Sequence, residues 1–118
     1  MSKKSSSILI LASLIYIVAC SDGTCDSRRD KAAAEIQSVI DTNRMCEKDE
    51  DCTSIAFQSN CFDSCTRAVN ASGASAVSAA VAKVNATTCA NYASDGCTRE
   101  SPPCAPPTNP KCIAKLCT

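Results

Sequence analysis

The chain has 118 residues with 12 basic and 12 acidic side chains, 11 cysteines, two Phe, two Tyr and no histidine. The balanced charge and the scarcity of aromatic residues argue against the basic, aromatic-interleaved surface that binds nucleic acid. The missing histidine removes Ser-His-Asp and Cys-His catalytic arrangements together with the commonest metal ligand. We therefore expect neither an enzyme nor a cofactor.

The first 20 residues have the features of a targeting signal. Two lysines precede an apolar run of 12 residues, Ile8–Ala19, which fits the hydrophobic part of a signal peptide and is too short to span a membrane. The run ends in the sequence IVAC, residues 17–20, which resembles the lipobox of bacterial lipoproteins. In that family the cysteine thiol receives a diacylglycerol, the peptide is cut before the cysteine, and the new amine is acylated. The resemblance implies a signal peptide over residues 1–19 and a lipid anchor on Cys20.

This anchor sets the expected location of the protein. Several acyl chains, at about 0.8 kcal/mol per buried methylene, hold a protein stably at a bilayer. Ser21 stands where enteric-type sorting uses Asp for retention in the inner membrane, so the analogy implies the outer membrane. Residues 20–25 form the lipidated N-terminus and a short tether, and residues 26–118 form a disulfide-rich domain close to the bilayer. Secretion with cleavage near Cys20 and no lipid is the alternative.

The cysteine count supports the same interpretation. An odd number of cysteines in a secreted chain leaves one cysteine without a disulfide partner. A lipid on Cys20 would leave ten cysteines, which can form five disulfides. The core is poor in aromatic residues and rich in alanine, whereas each disulfide contributes roughly 2–4 kcal/mol. We expect all ten to be paired and the fold to be lost on their reduction. The sequence leaves the connectivity open among Cys25, Cys46, Cys52, Cys61, Cys65, Cys89, Cys97, Cys104, Cys112 and Cys117.

Two helices are predicted. The first spans Ser27–Arg44, with Ser27 as its N-cap and Asp30 three residues later, as in a capping box. The second spans about Ala74–Tyr92. Both have an apolar stripe at helical spacing. The stripes comprise Ala32, Ile36, Val39 and Ile40 in the first helix and Val77, Val81, Val84 and Thr88 in the second.

Three short strands are predicted from alternating residues at Thr53–Gln58, Thr66–Val69 and Lys111–Cys117. We expect the first strand to lie beside the last, since neither is stable alone. Between them, Pro102–Pro110 forms an extended, polyproline-like loop held by Cys104. The chain is thus predicted to be a single small α+β disulfide-rich domain, with two helices packed on a short antiparallel sheet.

Three groups of residues could carry chemistry, and for each we favour a structural role. Cys61 and Cys65 could form a redox pair, but they are one residue further apart than Cys-x-x-Cys, and Asp63 between them opposes a thiolate. The cysteines could bind zinc or copper(I), although only this pair closely fits a zinc knuckle, and disulfides are expected outside the cytoplasm. The acidic run 49–51 lacks the order of a calcium loop, which favours a solvated turn.

The whole pattern resembles the small cysteine-rich lipoproteins of some bacteria. The resemblance rests on the lipobox, Cys46 and Cys52, Cys61 and Cys65, the helix ending at Cys89, and the tail from Pro102 to Cys117. It implies a disulfide-bonded body anchored to a membrane and located in the cell envelope, and it implies no particular activity.

We therefore expect a non-enzymatic envelope lipoprotein with a binding or structural role and an unidentified protein or envelope partner. Two alternatives stay open. A hydrolase inhibitor would present a disulfide-bounded loop, either 47–51 or 105–111, to a protease. A thiol–disulfide redox protein would use its cysteines for turnover.

Overall fold

The computed structural model describes residues 23–118, so the predicted signal peptide and Cys20 lie outside the described residues. The described part contains two helices and two two-stranded antiparallel sheets, which confirms the predicted α+β disulfide-rich class. The elements are α1 Cys25–Thr42, β1 Cys52–Ile55, β2 Arg67–Asn70, α2 Gly73–Ala86, β3 Cys112–Ile113 and β4 Leu116–Cys117, with a 3-10 turn at Asp49–Asp51. Within residues 23–118, no helix is long and apolar enough to cross a bilayer.

Helix α1 begins two residues before its predicted start. Thr24 is the N-cap, and its Oγ1 accepts a hydrogen bond from the Ser27 backbone N–H at 3.1 Å. Ser27 therefore lies inside the first turn, because Thr24 supplies the same kind of acceptor three residues earlier. The helix ends at Thr42, beyond which the Asn43 side chain donates to the Val39 carbonyl at 2.8 Å.

Helices α1 and α2 pack on each other, and α2 packs on β2, around one core. The stripe predicted for α1 is confirmed, since Ala32, Ile36 and Ile40 are buried and Val39 packs against the same cluster. Helix α2 contributes Val77 and Val84, with Val81 partly buried beside them. The remaining buried members of this cluster are Cys61, Val69, Cys89, Tyr92 and Cys97.

The first sheet leads directly into α2. β1 pairs with β2 in antiparallel register, with Thr53 opposite Val69. The chain then turns within two residues, and the Asn70 Oδ1 accepts a hydrogen bond from the Gly73 N–H at 3.1 Å. A Cβ at Gly73 would lie 2.6 Å from the Val69 Cβ. Glycine is therefore needed for α2 to start this close to the strand before it.

The prediction for the C-terminal strand is wrong. Residues 112–117 form a hairpin in which Cys112 faces Cys117, and β1 pairs with β2 instead. Ala114 and Lys115 form the two-residue turn, with φ values of 52° and 63°. Two consecutive positive φ values are those of a type I′ turn, which matches the twist of paired strands but favours Asn and Gly. Because neither residue is present, the sequence shows no turn signal here.

Helix α2 is also shorter than predicted. It ends at Ala86 rather than at Tyr92, and residues 87–96 continue as turns. The Val84 carbonyl accepts hydrogen bonds from the Thr87 N–H at 3.2 Å and from the Cys89 N–H at 2.7 Å. β-Branched Thr87 has low helix propensity, and the disulfide at Cys89 fixes the departing chain.

Arg28 of α1 holds the turns that follow α2. Its guanidinium donates to the Thr88 carbonyl at 3.0 Å and to the Ala90 carbonyl, and it pairs with Asp95 at 2.9 Å. The guanidinium carbon also lies 5.2 Å from the centre of the buried Tyr92 ring. The planar, five-donor geometry of arginine suits this set of partners. The sequence pattern gave no reason to single out this residue.

All ten cysteines of the described chain lie in five disulfides. The pairs are Cys25–Cys97, Cys46–Cys112, Cys52–Cys117, Cys61–Cys89 and Cys65–Cys104. Two of these link parts of the packed core to each other. The other three join the core to the C-terminal part of the chain, residues 98–118.

Candidate functional site

The most accessible irregular stretch of the described chain is its proline segment, residues 101–111, which contains all five prolines. The segment leaves the core at Glu100, whose carbonyl accepts a hydrogen bond from the Asp63 N–H at 2.8 Å and whose N–H donates to the Cys61 carbonyl at 3.2 Å. The Ser101 hydroxyl then donates to the Asp63 carboxylate. The near end of the segment is therefore fixed by hydrogen bonds.

Disulfides restrain the segment on both sides. Cys104 is bonded to Cys65, and Cys112, directly after the segment, is bonded to Cys46. Lys111 and Thr118 also exchange two backbone hydrogen bonds, at 2.9 and 2.8 Å. The segment is therefore held near both ends by covalent cross-links and by the base of the hairpin.

Between these restraints the backbone is free of intramolecular hydrogen bonds. Within residues 23–118, no hydrogen bond joins residues 105–110 to any other residue, and residues 105–109 are exposed. Prolines at three of these six positions leave carbonyl groups as the main available hydrogen-bonding groups. An exposed, unpaired stretch whose two ends are fixed has backbone groups open to a partner chain and less conformational freedom to lose on binding.

A shallow groove lies beside this stretch. It has a volume of about 280 Å3 and separates Ala105, Pro107 and Pro110 from Ser54 of β1 and Arg67 of β2. Arg67 is held in place because its guanidinium donates to the Gln37 side chain at 2.6 Å. A partner that grips the segment would therefore also meet a polar sheet surface with one positive charge.

The proline segment runs along the molecule from one end of α1 to the other. Glu100 forms an ion pair with Arg29 in the first turns of α1, whereas Cys112 is bonded to Cys46, four residues after that helix ends. Helix α1 has 18 residues, which corresponds to about 27 Å at 1.5 Å per residue. The segment therefore presents a long ridge rather than a compact loop tip.

Hydrogen bonds and one ion pair engage the carboxylates of the acidic loop before β1. Asp49 accepts a hydrogen bond from the Cys112 N–H at 2.8 Å and pairs with the Lys111 ammonium at 3.2 Å, which together lower the pKa of Asp49. Asp51 accepts hydrogen bonds from the N–H groups of Glu47 and Lys48 at 2.8 and 3.1 Å, which lower the pKa of Asp51. Both carboxylates thus fix the conformation of the loop.

The two cysteines with redox-like spacing do not form a pair. Cys61 is bonded to Cys89, and both residues are fully buried. Cys65 is bonded to the exposed Cys104 instead. A redox centre needs two accessible thiols that close on each other, so the Cys61/Cys65 spacing supplies neither such a centre nor a zinc knuckle.

Comparisons with protein-family models, with curated proteins and with solved structures returned no match for this chain.

Proposed function

We propose that the protein is a lipid-anchored, non-enzymatic protein of the bacterial cell envelope. Its partners bind the exposed proline segment. The observation that carries the proposal is the IVAC sequence at the end of an apolar run of signal-peptide length. The disulfide pairing supports it. Because the other ten cysteines are bonded to one another, Cys20 has no cysteine of this chain left to pair with.

The anchor would place one end of the domain near the bilayer. Five residue steps separate Cys20 from Cys25, the first residue of α1, and an extended chain covers at most about 18 Å over that length. The N-terminal end of α1 and the Cys25–Cys97 disulfide would therefore lie close to the lipid. The proline segment would extend away from this end towards the hairpin, where a partner in the envelope can reach it.

The residues of the described part support a non-enzymatic role. The sequence has no histidine, and the carboxylates of Asp49 and Asp51 are engaged by backbone N–H groups. The disulfide-bonded cysteines have no thiolate to offer a substrate. The segment at residues 105–110 offers binding groups and no nucleophile other than the Thr108 hydroxyl.

Labelling with an alkyne fatty acid, followed by membrane fractionation, tests the anchor. The Cys20→Ala variant should accumulate as an unprocessed precursor without label, whereas wild type should be labelled and sediment with the outer membrane. Cys25→Ala is the matched control, since it also removes one cysteine but leaves the lipobox intact and should keep the label. Normal processing and release of Cys20→Ala would contradict the proposal.

The geometry favours one second candidate, a protease inhibitor. The stretch at residues 105–110 is exposed, lacks intramolecular hydrogen bonds, and lies between Cys104 and Cys112, both of which are in disulfides. A substrate-like loop held in this way is the arrangement expected of an inhibitor that fills an active-site cleft. The absence of inhibition across a panel of proteases at micromolar protein would remove this candidate and leave the anchored binding domain.

A further inference from the structure

The exposed large apolar side chains of residues 23–118 lie together at the C-terminal hairpin. They are Met45, Ile113 and Leu116, which are 63%, 60% and 37% exposed. Ile113 faces Leu116 across the hairpin, and Met45 faces Leu116 from the other side in an antiparallel bridge. Residues directly opposite each other in neighbouring strands project to the same face. The three side chains therefore form one surface, which we call the apolar patch.

The opposite face of the same strands is turned towards the interior. Alternation places Cys46, Cys112 and Cys117 there, and Cys46 and Cys117 are 6% and 0% exposed. The Cys46 N–H donates to the Lys115 carbonyl at 3.1 Å, and the Cys117 N–H donates to the Arg44 carbonyl at 2.7 Å. These hydrogen bonds and the disulfides fix the strands, so the apolar patch cannot turn inwards. A contiguous apolar surface that is held open in this way is typical of a contact site.

We propose that the apolar patch is a second contact with the membrane and inserts into the bilayer that holds the Cys20 lipid. This inference rests on the proposed anchor. The anchor keeps Cys25 within about 18 Å of Cys20. Helix α1, with 18 residues, extends about 27 Å from that end, and Met45 lies three residues beyond its last residue, Thr42. A domain that lies along the bilayer therefore reaches the lipid at both ends of α1.

The anchor also explains why a lipid surface is the partner that suits so small a patch. A contact made by a domain that is already tethered is intramolecular in effect, so it needs little affinity of its own. Three aliphatic side chains bury too little surface for a stable protein interface, which usually exceeds about 1,000 Å2 in total. Insertion into a bilayer has no such minimum area, since it needs apolar side chains at the membrane surface.

The charges around the apolar patch favour anionic headgroups. Arg44 and Lys115 directly precede two of its three side chains. The Glu47 carboxylate lies 3.8 Å from the Lys115 ammonium, but the two side chains are 80% and 72% exposed, so solvent screens this pair. Lys111 and Asp49 offset each other in an ion pair of their own. The remaining positive charge attracts the patch to a bilayer that contains anionic lipid.

Tryptophan fluorescence tests the insertion directly, because the chain has no tryptophan of its own. The lipidated protein with Ile113→Trp is placed in vesicles of phosphatidylcholine and phosphatidylglycerol, with or without bromine on the acyl chains. Inserted side chains lie about 5–10 Å into the boundary between headgroups and acyl chains, so brominated lipid should quench most of the fluorescence. The matched control is Thr108→Trp in the exposed proline segment, which should keep its fluorescence.

Oxidation of Met45 tests the apolar patch without an added aromatic side chain. Met45 is the one methionine outside the predicted signal peptide, and its oxidation by peroxide in the same vesicles is followed by mass spectrometry. Ile113→Ser/Leu116→Ser should be oxidised about tenfold faster than wild type, because the loss of one large aliphatic contact shifts an equilibrium by about that factor. Lys115→Glu should also speed the oxidation, whereas Lys83→Glu in α2 should leave it unchanged.

The outcomes separate this inference from the anchor on which it rests. Acyl label on the protein together with unquenched Ile113→Trp would overturn the inference and leave the anchor in place, whereas a missing label would overturn both. Equal quenching of Ile113→Trp and Thr108→Trp would show that the patch is not the contact. Protection of Met45 that disappears when the protein is diluted in lipid would identify a second copy of the chain as the occupant, which would also overturn the inference.

Discussion

The packed half of the molecule and its C-terminal part, residues 98–118, are held together in different ways. The packed half consists of α1, the β1–β2 sheet, α2 and the turns up to Cys97, and it contains the whole buried cluster. In residues 98–118, only Cys117 is buried, and Ile113 is 60% exposed. Three of the five disulfides nevertheless end in this C-terminal part.

This difference shows that covalent cross-links can order a region that has almost no buried apolar core. Burying apolar surface stabilises a structure by about 25 cal/mol per Å2, and residues 98–118 bury too few side chains for this term to order them. Disulfides and a few backbone hydrogen bonds order them instead. A long exposed segment can then keep a defined shape without a core beneath it, which is what a presented binding surface needs.

The largest effect is expected from removing a disulfide in the packed half. Cys61→Ala/Cys89→Ala should lower the free energy of unfolding by about 3–4 kcal/mol, and Cys65→Ala/Cys104→Ala by less than about half of that. The sequence separations of 28 and 39 residues would by loop closure alone give similar values. The second pair costs less because the folded chain regains freedom in the proline segment.

Urea unfolding of each double variant, followed by circular dichroism, measures this difference. Equal losses for the two variants would show that residues 98–118 unfold together with the core. That result would remove the distinction between the two regions.

Arg28 provides the next largest effect, and it lies wholly in the packed half. Arg28→Lys should lower the free energy of unfolding by about 1–3 kcal/mol, because an ammonium cannot satisfy the Thr88 and Ala90 carbonyls and Asp95 together. The matched control is Arg29→Lys. The Arg29 side chain is 28% exposed, compared with 14% for Arg28, and forms ion pairs only. Arg29→Lys should therefore lower the free energy of unfolding by less than about 1 kcal/mol. Thermal unfolding should therefore show a larger loss of stability in Arg28→Lys than in Arg29→Lys. Equal losses of stability in the two variants would contradict the role assigned to Arg28.

The hairpin turn provides a stabilising change in the C-terminal part. Lys115→Gly should raise the free energy of unfolding by about 1 kcal/mol, because Lys115 has a φ of 63° and glycine adopts such values without strain. The same substitution at Lys83, inside α2, should instead lower the free energy of unfolding by about 1 kcal/mol. Denaturant midpoints of the two variants should therefore move in opposite directions. A loss of stability in Lys115→Gly would contradict the assigned turn.

The smallest effect concerns acid stability at the junction of the two regions. Hydrogen bonds and Lys111 lower the pKa of Asp49 in the folded chain below its ordinary value of 3.8. The stabilisation from this group is therefore complete above that value and is lost as the pH falls through the lowered pKa. Asp49→Asn should flatten the fall in stability below about pH 4. Glu50→Gln is the control, since Glu50 lies in the same turn and the described residues offer it no ion pair. Denaturation curves at several acidic pH values measure the slope, and identical slopes in the two variants would contradict this role.

The sequence predicted the parts of the fold that depend on local pattern. The buried face of α1 follows from the spacing of Ala32, Ile36 and Ile40, and the chemistry of cysteine outside the cytoplasm favours full pairing. The hairpin at Ala114 was missed because its turn uses residues that rarely adopt positive φ. The end of α2 was missed because helix propensity does not reveal a tertiary contact such as the Cys61–Cys89 bond.

The candidate site was predicted only in part. Prolines and flanking cysteines predicted a loop held by Cys104, and in the structure Cys104 is disulfide-bonded within a segment that has neither helix nor strand. The cysteine connectivity, including the Cys46–Cys112 and Cys52–Cys117 disulfides, depends on which distant segments come together. No spacing within the chain specifies that arrangement, because the bonded cysteines lie 65 and 66 residues apart.

The most direct test of the central claim is amide hydrogen exchange on a variant that lacks both disulfides of the hairpin. The variant replaces Cys46, Cys52, Cys112 and Cys117 by alanine. If cross-links hold the C-terminal part and the core holds the rest, the amides of Lys111 and Thr118 should lose their protection while those of Ile36 and Ile40 in α1 keep it. Loss of protection in α1 to the same extent would contradict the account.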